Sequence, residues 1–230
     1  MKKLLFAILL LLPLFSLAQT NADEQPKQQA RDTANNVAAH AGATTVNPKN
    51  SAFYIERGHS KANNNDYRGA IADYTQAIQL DPAASAAYYD RAKAKEQLND
   101  NNGAMADYAR SVELNPEQPH VWYIIGLSKA KIGNYKAAIA DLTHTIKLDP
   151  ENFNAWYSRA LAKAKIQDYD GSVYDYTKAI ALDPQNANAY FGRGNARHHT
   201  PDKTGACEDW EKAAKLGSQG AFENIKNFCR

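Results

Sequence analysis

The chain has 230 residues, 44% of them hydrophobic and 23% charged, with 27 basic against 25 acidic side chains, an ordinary composition for a folded domain. Two Cys exclude a disulfide-dense mini-protein, and 9 Pro with 12 Gly exclude a collagen-like or low-complexity chain. The near balance of charge argues against long-range attraction to nucleic acid or anionic lipid.

At the N-terminus, Lys2 and Lys3 precede an apolar run from Leu4 to Leu12 and Pro13 breaks it. Ser16-Leu17-Ala18 then sets small residues where a signal peptidase reads them. Residues 1–18 are predicted to be a secretory signal peptide, cleaved between Ala18 and Gln19. The alternative is a retained anchor, but the run is short for roughly 30 Å of hydrocarbon and no stop-transfer charges follow it. Removing the leader takes two basic residues and no acid, so the mature chain is formally neutral and keeps no transmembrane anchor. Its expected place is the periplasm or the extracellular space, peripheral to the outer membrane. Residues 19–50 contain no Leu, Ile, Met or aromatic side chain and cannot offset their ordering entropy by burial. They are expected to form a flexible polar linker, either a tether or a plain spacer.

From residue 51 the sequence repeats every 34 residues, as the junctions Asp81-Pro82, Asn115-Pro116, Asp149-Pro150 and Asp183-Pro184 show. A fixed period of this size marks a stacked solenoid whose units bury their apolar faces against one another. The units run 51–84, 85–118, 119–152, 153–186 and 187–220. Their fourth position is always a large aromatic (Tyr54, Tyr88, Trp122, Trp156, Tyr190). The eighth is always tiny (Gly58, Ala92, Gly126, Ala160, Gly194), as is the twentieth (Ala70, Ala104, Ala138, Ser172, Ala206). Small residues at both places let two antiparallel helices approach closely, and the side chains at positions four and twenty-four (Tyr74, Tyr108, Leu142, Tyr176, Trp210) are expected to fill the space beside them. Each unit is therefore a predicted helical hairpin, its second helix closing at Leu80, Leu114, Leu148 or Leu182 before the proline that cannot continue it.

This pattern resembles the tetratricopeptide repeat over five contiguous units, 51–220. The resemblance implies an all-α, right-handed superhelical solenoid of antiparallel helix pairs. The fifth unit departs from the pattern, with Lys203 in place of the loop aromatic and Ser218 in place of the proline; the second has Asn101 at the loop position. A degenerate last unit suits a solenoid end, whose outer face meets water. Beyond it, Ala221, Phe222, Ile225 and Phe228 have helical spacing and predict a capping helix over 221–230. Cys207 and Cys229 fall level on the two antiparallel helices either side of the turn, and an exported chain meets an oxidant, so a disulfide between them is expected. Two buried thiols or a metal pair are the alternatives, and two Cys without further ligands bind metal poorly.

Position seven is Arg57, Arg91, Ile125, Arg159 and Arg193; position eleven is Lys61, Lys95, Lys129, Lys163 and Arg197; position twenty-three is Asp73, Asp107, Asp141, Asp175 and Asp209. Five equal copies speak for structural ion pairs, since a catalytic constellation is single. The resemblance places partners on a concave face lined by the first helices. Position five runs Ile55, Tyr89, Tyr123, Tyr157, Phe191; position nine His59, Lys93, Leu127, Leu161, Asn195; position thirteen Asn63, Gln97, Lys131, Lys165, His199. Aromatic anchors beside cations suit a peptide offering apolar side chains and carboxylates, although the aromatics could also pack only on each other. The family's double-carboxylate clamp is incomplete, because Leu127 and Leu161 stand where cations are required.

No Gly-rich phosphate loop, Gly-x-Ser-x-Gly or His-Glu-x-x-His occurs, and the six His are scattered. The expectation is a non-catalytic protein-interaction scaffold of the cell envelope, with no cofactor, no metal and no nucleic acid, binding a protein or peptide in its groove. The alternative is a structural subunit of a larger envelope assembly that docks through its end faces; an undetected enzyme ranks below both.

Overall fold

The structure is a computed structural model that describes residues 50–229; the signal peptide and all of the linker but Asn50 lie outside the described residues. Eleven α-helices follow one another: α1 (Ser51–Asn63), α2 (Tyr67–Leu80), α3 (Ser85–Gln97), α4 (Asn101–Leu114), α5 (Pro119–Lys131), α6 (Tyr135–Leu148), α7 (Phe153–Lys165), α8 (Tyr169–Leu182), α9 (Ala187–His198), α10 (Lys203–Lys215) and α11 (Gln219–Phe228). No strand occurs among the described residues, and none of these helices is long and apolar enough to cross a membrane.

Local chemistry explains the boundaries. Asp66, Asp100, Asn134, Asp168 and Asp202 each cap a second helix by accepting a hydrogen bond from a backbone N–H three residues on. Between the two helices of each of the first four hairpins one residue turns left-handed, and Gly133 (φ 81°) meets that need without a side-chain penalty, while Asn65, Asn99 and Gln167 bear it. Each helix then packs on the next. First helices of successive units also approach one another (α1 with α3, α5 with α7, α7 with α9), whereas second helices do not to the same degree, so the first helices line the inner, concave side.

The close approach rests on position eight. A Cβ on Gly58 would lie 2.5 Å from the Tyr74 ring, and one on Gly194 would lie 2.7 Å from Trp210. The largest fully buried side chains are those of position twenty-four, namely Tyr74, Tyr108, Leu142, Tyr176 and Trp210. Position three joins them with Ala87, Val121, Ala155 and Ala189. The aromatics of position four do not: they are half-buried, because each lies along the flank of its hairpin. There Trp122 and Trp156 donate their indole N–H to the carbonyls of Pro116 and Pro150, and Arg57, Arg91, Arg159 and Arg193 lie over the rings of Tyr54, Tyr88, Trp156 and Tyr190 at 4.9–5.6 Å.

The cap starts at Gln219, two residues before its expected limit, and a disulfide joins Cys207 to Cys229. A cross-link over 22 residues contributes about 3 kcal/mol in the chain-entropy view.

Candidate functional site

Two layers of charged and aromatic side chains run the length of the solenoid. The inner one lies between the helices of each hairpin. In units one, two, four and five an Arg at position seven grips both carboxylate oxygens of the Asp at position twenty-three, as in Arg159 Nε and Nη2 to Asp175, each 2.8 Å. The cation at position eleven closes the other side: Lys61, Lys95, Lys129 and Lys163 stand 2.7–2.9 Å from the same carboxylates and Arg197 3.0 Å from Asp209. Burial opposes the charge on Asp73, but the hydrogen bonds from Arg57 and Lys61 prevail and hold its carboxyl below the ordinary range.

The Arg does more than pair. Its remaining nitrogen donates across the unit boundary to a Thr at position twenty-five of the preceding unit: Arg91 to Thr75 (3.1 Å), Arg159 to Thr143 (2.9 Å), Arg193 to Thr177 (3.1 Å). Each Thr hydroxyl donates in turn to a carbonyl one turn back in its helix. The exception is the boundary of units two and three, where position seven is Ile125 and the facing position is Ala109. Ile125 is buried there with Val112, Val121 and Tyr108, and α4 and α5 make the sparsest contact of any successive helices. An apolar seam replaces a directional hydrogen bond. Asp141 keeps Lys129 alone.

The second layer is the concave face, and its positions differ from unit to unit. Tyr89 tilts on Tyr108 and meets His120 edge-on at 4.9 Å; Tyr157 stands edge-on to Tyr176 and stacks on Phe153. Tyr123 has no aromatic neighbour among the described residues, because its own unit carries Leu142 at position twenty-four. Beside it Leu127 and Leu161 are exposed by 38% and 41%. Ile55 packs into the core of unit one, and Asn63 and Gln97 are exposed at the ends of their helices. At the far end the face closes. Phe191 lies against Gly220, and the Asn195 side chain accepts hydrogen bonds from Trp210 (2.9 Å) and Asn224 (2.8 Å). His199 stacks on Tyr169 at 4.4 Å.

The charges of this face divide sharply. Asp90 is held by His59 at 2.7 Å, and Glu96 accepts from the Tyr108 hydroxyl at 2.7 Å. Lys93 lies over the Tyr89 ring, and neither it nor Lys131 nor Lys165 has an ion-pair partner among the described residues. Burial and the neighbouring Lys93 both push His120 below its usual value. Sequence reasoning therefore brings Tyr89, Lys93, Tyr123, Leu127, Lys131, Tyr157, Leu161 and Lys165 onto one accessible surface, while His59, Phe191, Asn195 and His199 are engaged by neighbours. It missed the Thr of position twenty-five, although the joint change to Ile125 and Ala109 was visible. No cluster of three or more His, Cys, Asp or Glu able to hold a metal occurs among the described residues.

Comparison with known proteins places this architecture. Models described as tetratricopeptide repeat match residues 55–119 and 119–152, and one described as TPR repeat matches 164–200. The crystal structure of YrrB, described as a TPR protein with an unusual peptide-binding site, superposes with a TM-score of 0.71 at 20% identity, over 78% of this chain and 94% of that one. A MamA crystal structure gives 0.65 at 23% identity over 78% and 96% of the two chains. MamA from Desulfovibrio magneticus RS-1 gives 0.62 at 20% identity over 72% and 94%. No curated protein matches the sequence. At these identities the likeness is one of fold, the right-handed superhelical solenoid of tandem antiparallel helix pairs.

Proposed function

Because the chain belongs to the tetratricopeptide-repeat family, we propose that it is a non-catalytic interaction scaffold whose concave face binds a protein or peptide segment carrying apolar side chains and carboxylates. One observation carries this reading: in units two to four the acids of the first helices, Asp90 and Glu96, are held by neighbours, while Lys93, Lys131 and Lys165 lack carboxylate partners among the described residues beside the accessible Tyr123, Leu127 and Leu161. An apolar strip edged by these cations favours an acidic segment with apolar anchors. The fold likeness to a protein described as having a peptide-binding site supports it further.

Export completes the proposal. The leader at residues 1–18 and the disulfide of Cys207 with Cys229 both suit an oxidising compartment such as the periplasm or the outside of the cell. Crosslinking capture from the envelope fraction, with the purified chain as bait, tests the scaffold. A protein retained by the parent chain and lost on Tyr123→Ala with Lys131→Glu supports it, and one retained equally by both refutes the groove. Turnover of a small molecule by the purified chain would refute the non-catalytic reading.

A further inference from the structure

The C-terminal cap is half of a hairpin. Aligned on its buried Ala221, which takes the place of Ala155 and Ala189, α11 sets Phe222 at position four, Ile225 at seven, Lys226 at eight and Cys229 at eleven. In each complete unit these positions are covered by the unit's own second helix, as Gly58 on Tyr74 and Arg159 on Asp175 show. Among the described residues no second helix packs on α11, and the disulfide to α10 ties it down instead. The uncovered face forms an open cleft lined by Phe222, Ile225 and Ala214, with Glu211 and Lys215 at its rim; Phe222 is 54% exposed.

We propose that this cleft is a self-association surface, in which the α11 of a second copy lies antiparallel in the slot that a sixth unit's second helix would fill, and the first copy's α11 fills the other's. The charges around the cleft favour that occupant. Glu211 and Lys215 stand at the cleft's rim and α11 itself carries Glu223 and Lys226, two acids and two bases, all exposed and none in an ion pair among the described residues. A two-fold interface requires one patch to complement itself, and a neutral set with both signs does so. A set of one sign would have called for a foreign partner.

Sedimentation equilibrium of the purified protein over a wide concentration range tests it. The parent is expected to pass from monomer to dimer with concentration, and Phe222→Glu to weaken the dimer by about tenfold or more. Two charge variants sharpen the result. Glu211→Lys with Glu223→Lys, and Lys215→Glu with Lys226→Glu, are each expected to stay monomeric, while an equimolar mixture recovers a one-to-one heterodimer in native mass spectrometry. That recovery also shows both variants folded. A parent monomeric throughout, a dimer indifferent to Phe222→Glu, or a mixture that stays monomeric would overturn the proposal. Tyr123→Ala with Lys131→Glu is expected to leave the dimer unchanged, which separates this surface from the groove.

Discussion

The layer between the helices and the concave face use the same chemistry, aromatic rings beside Lys and Arg, to opposite ends. Between the helices every carboxylate of position twenty-three meets a cation, in all five units. On the concave face the pattern changes from unit to unit, and Lys93, Lys131 and Lys165 stand without carboxylates among the described residues. Repetition with pairing marks what the solenoid needs in order to stack; variation without pairing is what the proposed binding face would present to a partner. The boundary of units two and three belongs to the first class and shows how that class tolerates change: Ile125 and Ala109 exchange a polar link for an apolar one together.

The contrast is broken most severely at Asp175. Its carboxylate is 0% exposed and answers both Arg159 and Lys163, so Asp175→Ala strands two cations and is expected to cost about 3–5 kcal/mol, read as a fall in the urea midpoint. Trp122→Ala comes next. The indole is half-buried, stacked on His144 and bonded to Pro116, so its loss is expected to cost about 2 kcal/mol, below the range of a core Trp. Asp141→Ala is expected to cost about 1 kcal/mol, since Lys129 alone loses its partner and is itself partly solvated. If Asp141→Ala and Asp175→Ala destabilise equally, the Arg is not the stronger half of the pairing.

The smallest effect concerns His120. Its pKa lies below 6.5 in the folded chain, so the neutral ring is the favoured form, and the stability it lends is present above pH 6.5 and lost as pH falls through the lowered value. Proton titration by NMR is expected to give a midpoint under 6.5 for the parent and a higher one for Lys93→Ala. Binding of an acidic segment would move it upward as well, because a carboxylate beside Lys93 favours the imidazolium.

The hairpin register was legible because it is repeated: five copies of a tiny residue at position eight and a large one at position twenty-four leave one way to pack. The cross-unit hydrogen bond was not, since Thr75, Thr143 and Thr177 look like ordinary surface residues until the stacking of one hairpin on the next brings Arg to them. Position four misled for a related reason. A conserved-looking aromatic column suggests a core, yet a ring can repeat because it lies beneath an Arg on the flank. Of the groove, the aromatic column could be read directly, but not the closing of its far end, where Asn224 on the cap reaches Asn195 from 29 residues away.

The most direct test of the proposed scaffold is the Tyr123→Ala, Lys131→Glu double variant, assayed for capture of a protein from the envelope fraction and for thermal melting side by side. Both side chains reach the accessible concave face and neither belongs to the charged layer between the helices, so capture is expected to be abolished while helical content and melting stay close to the parent. A central aromatic anchor commonly costs about 2 kcal/mol of binding when truncated, and the reversed charge adds repulsion. Undiminished capture at unchanged stability would contradict the account and move the binding surface off the concave face.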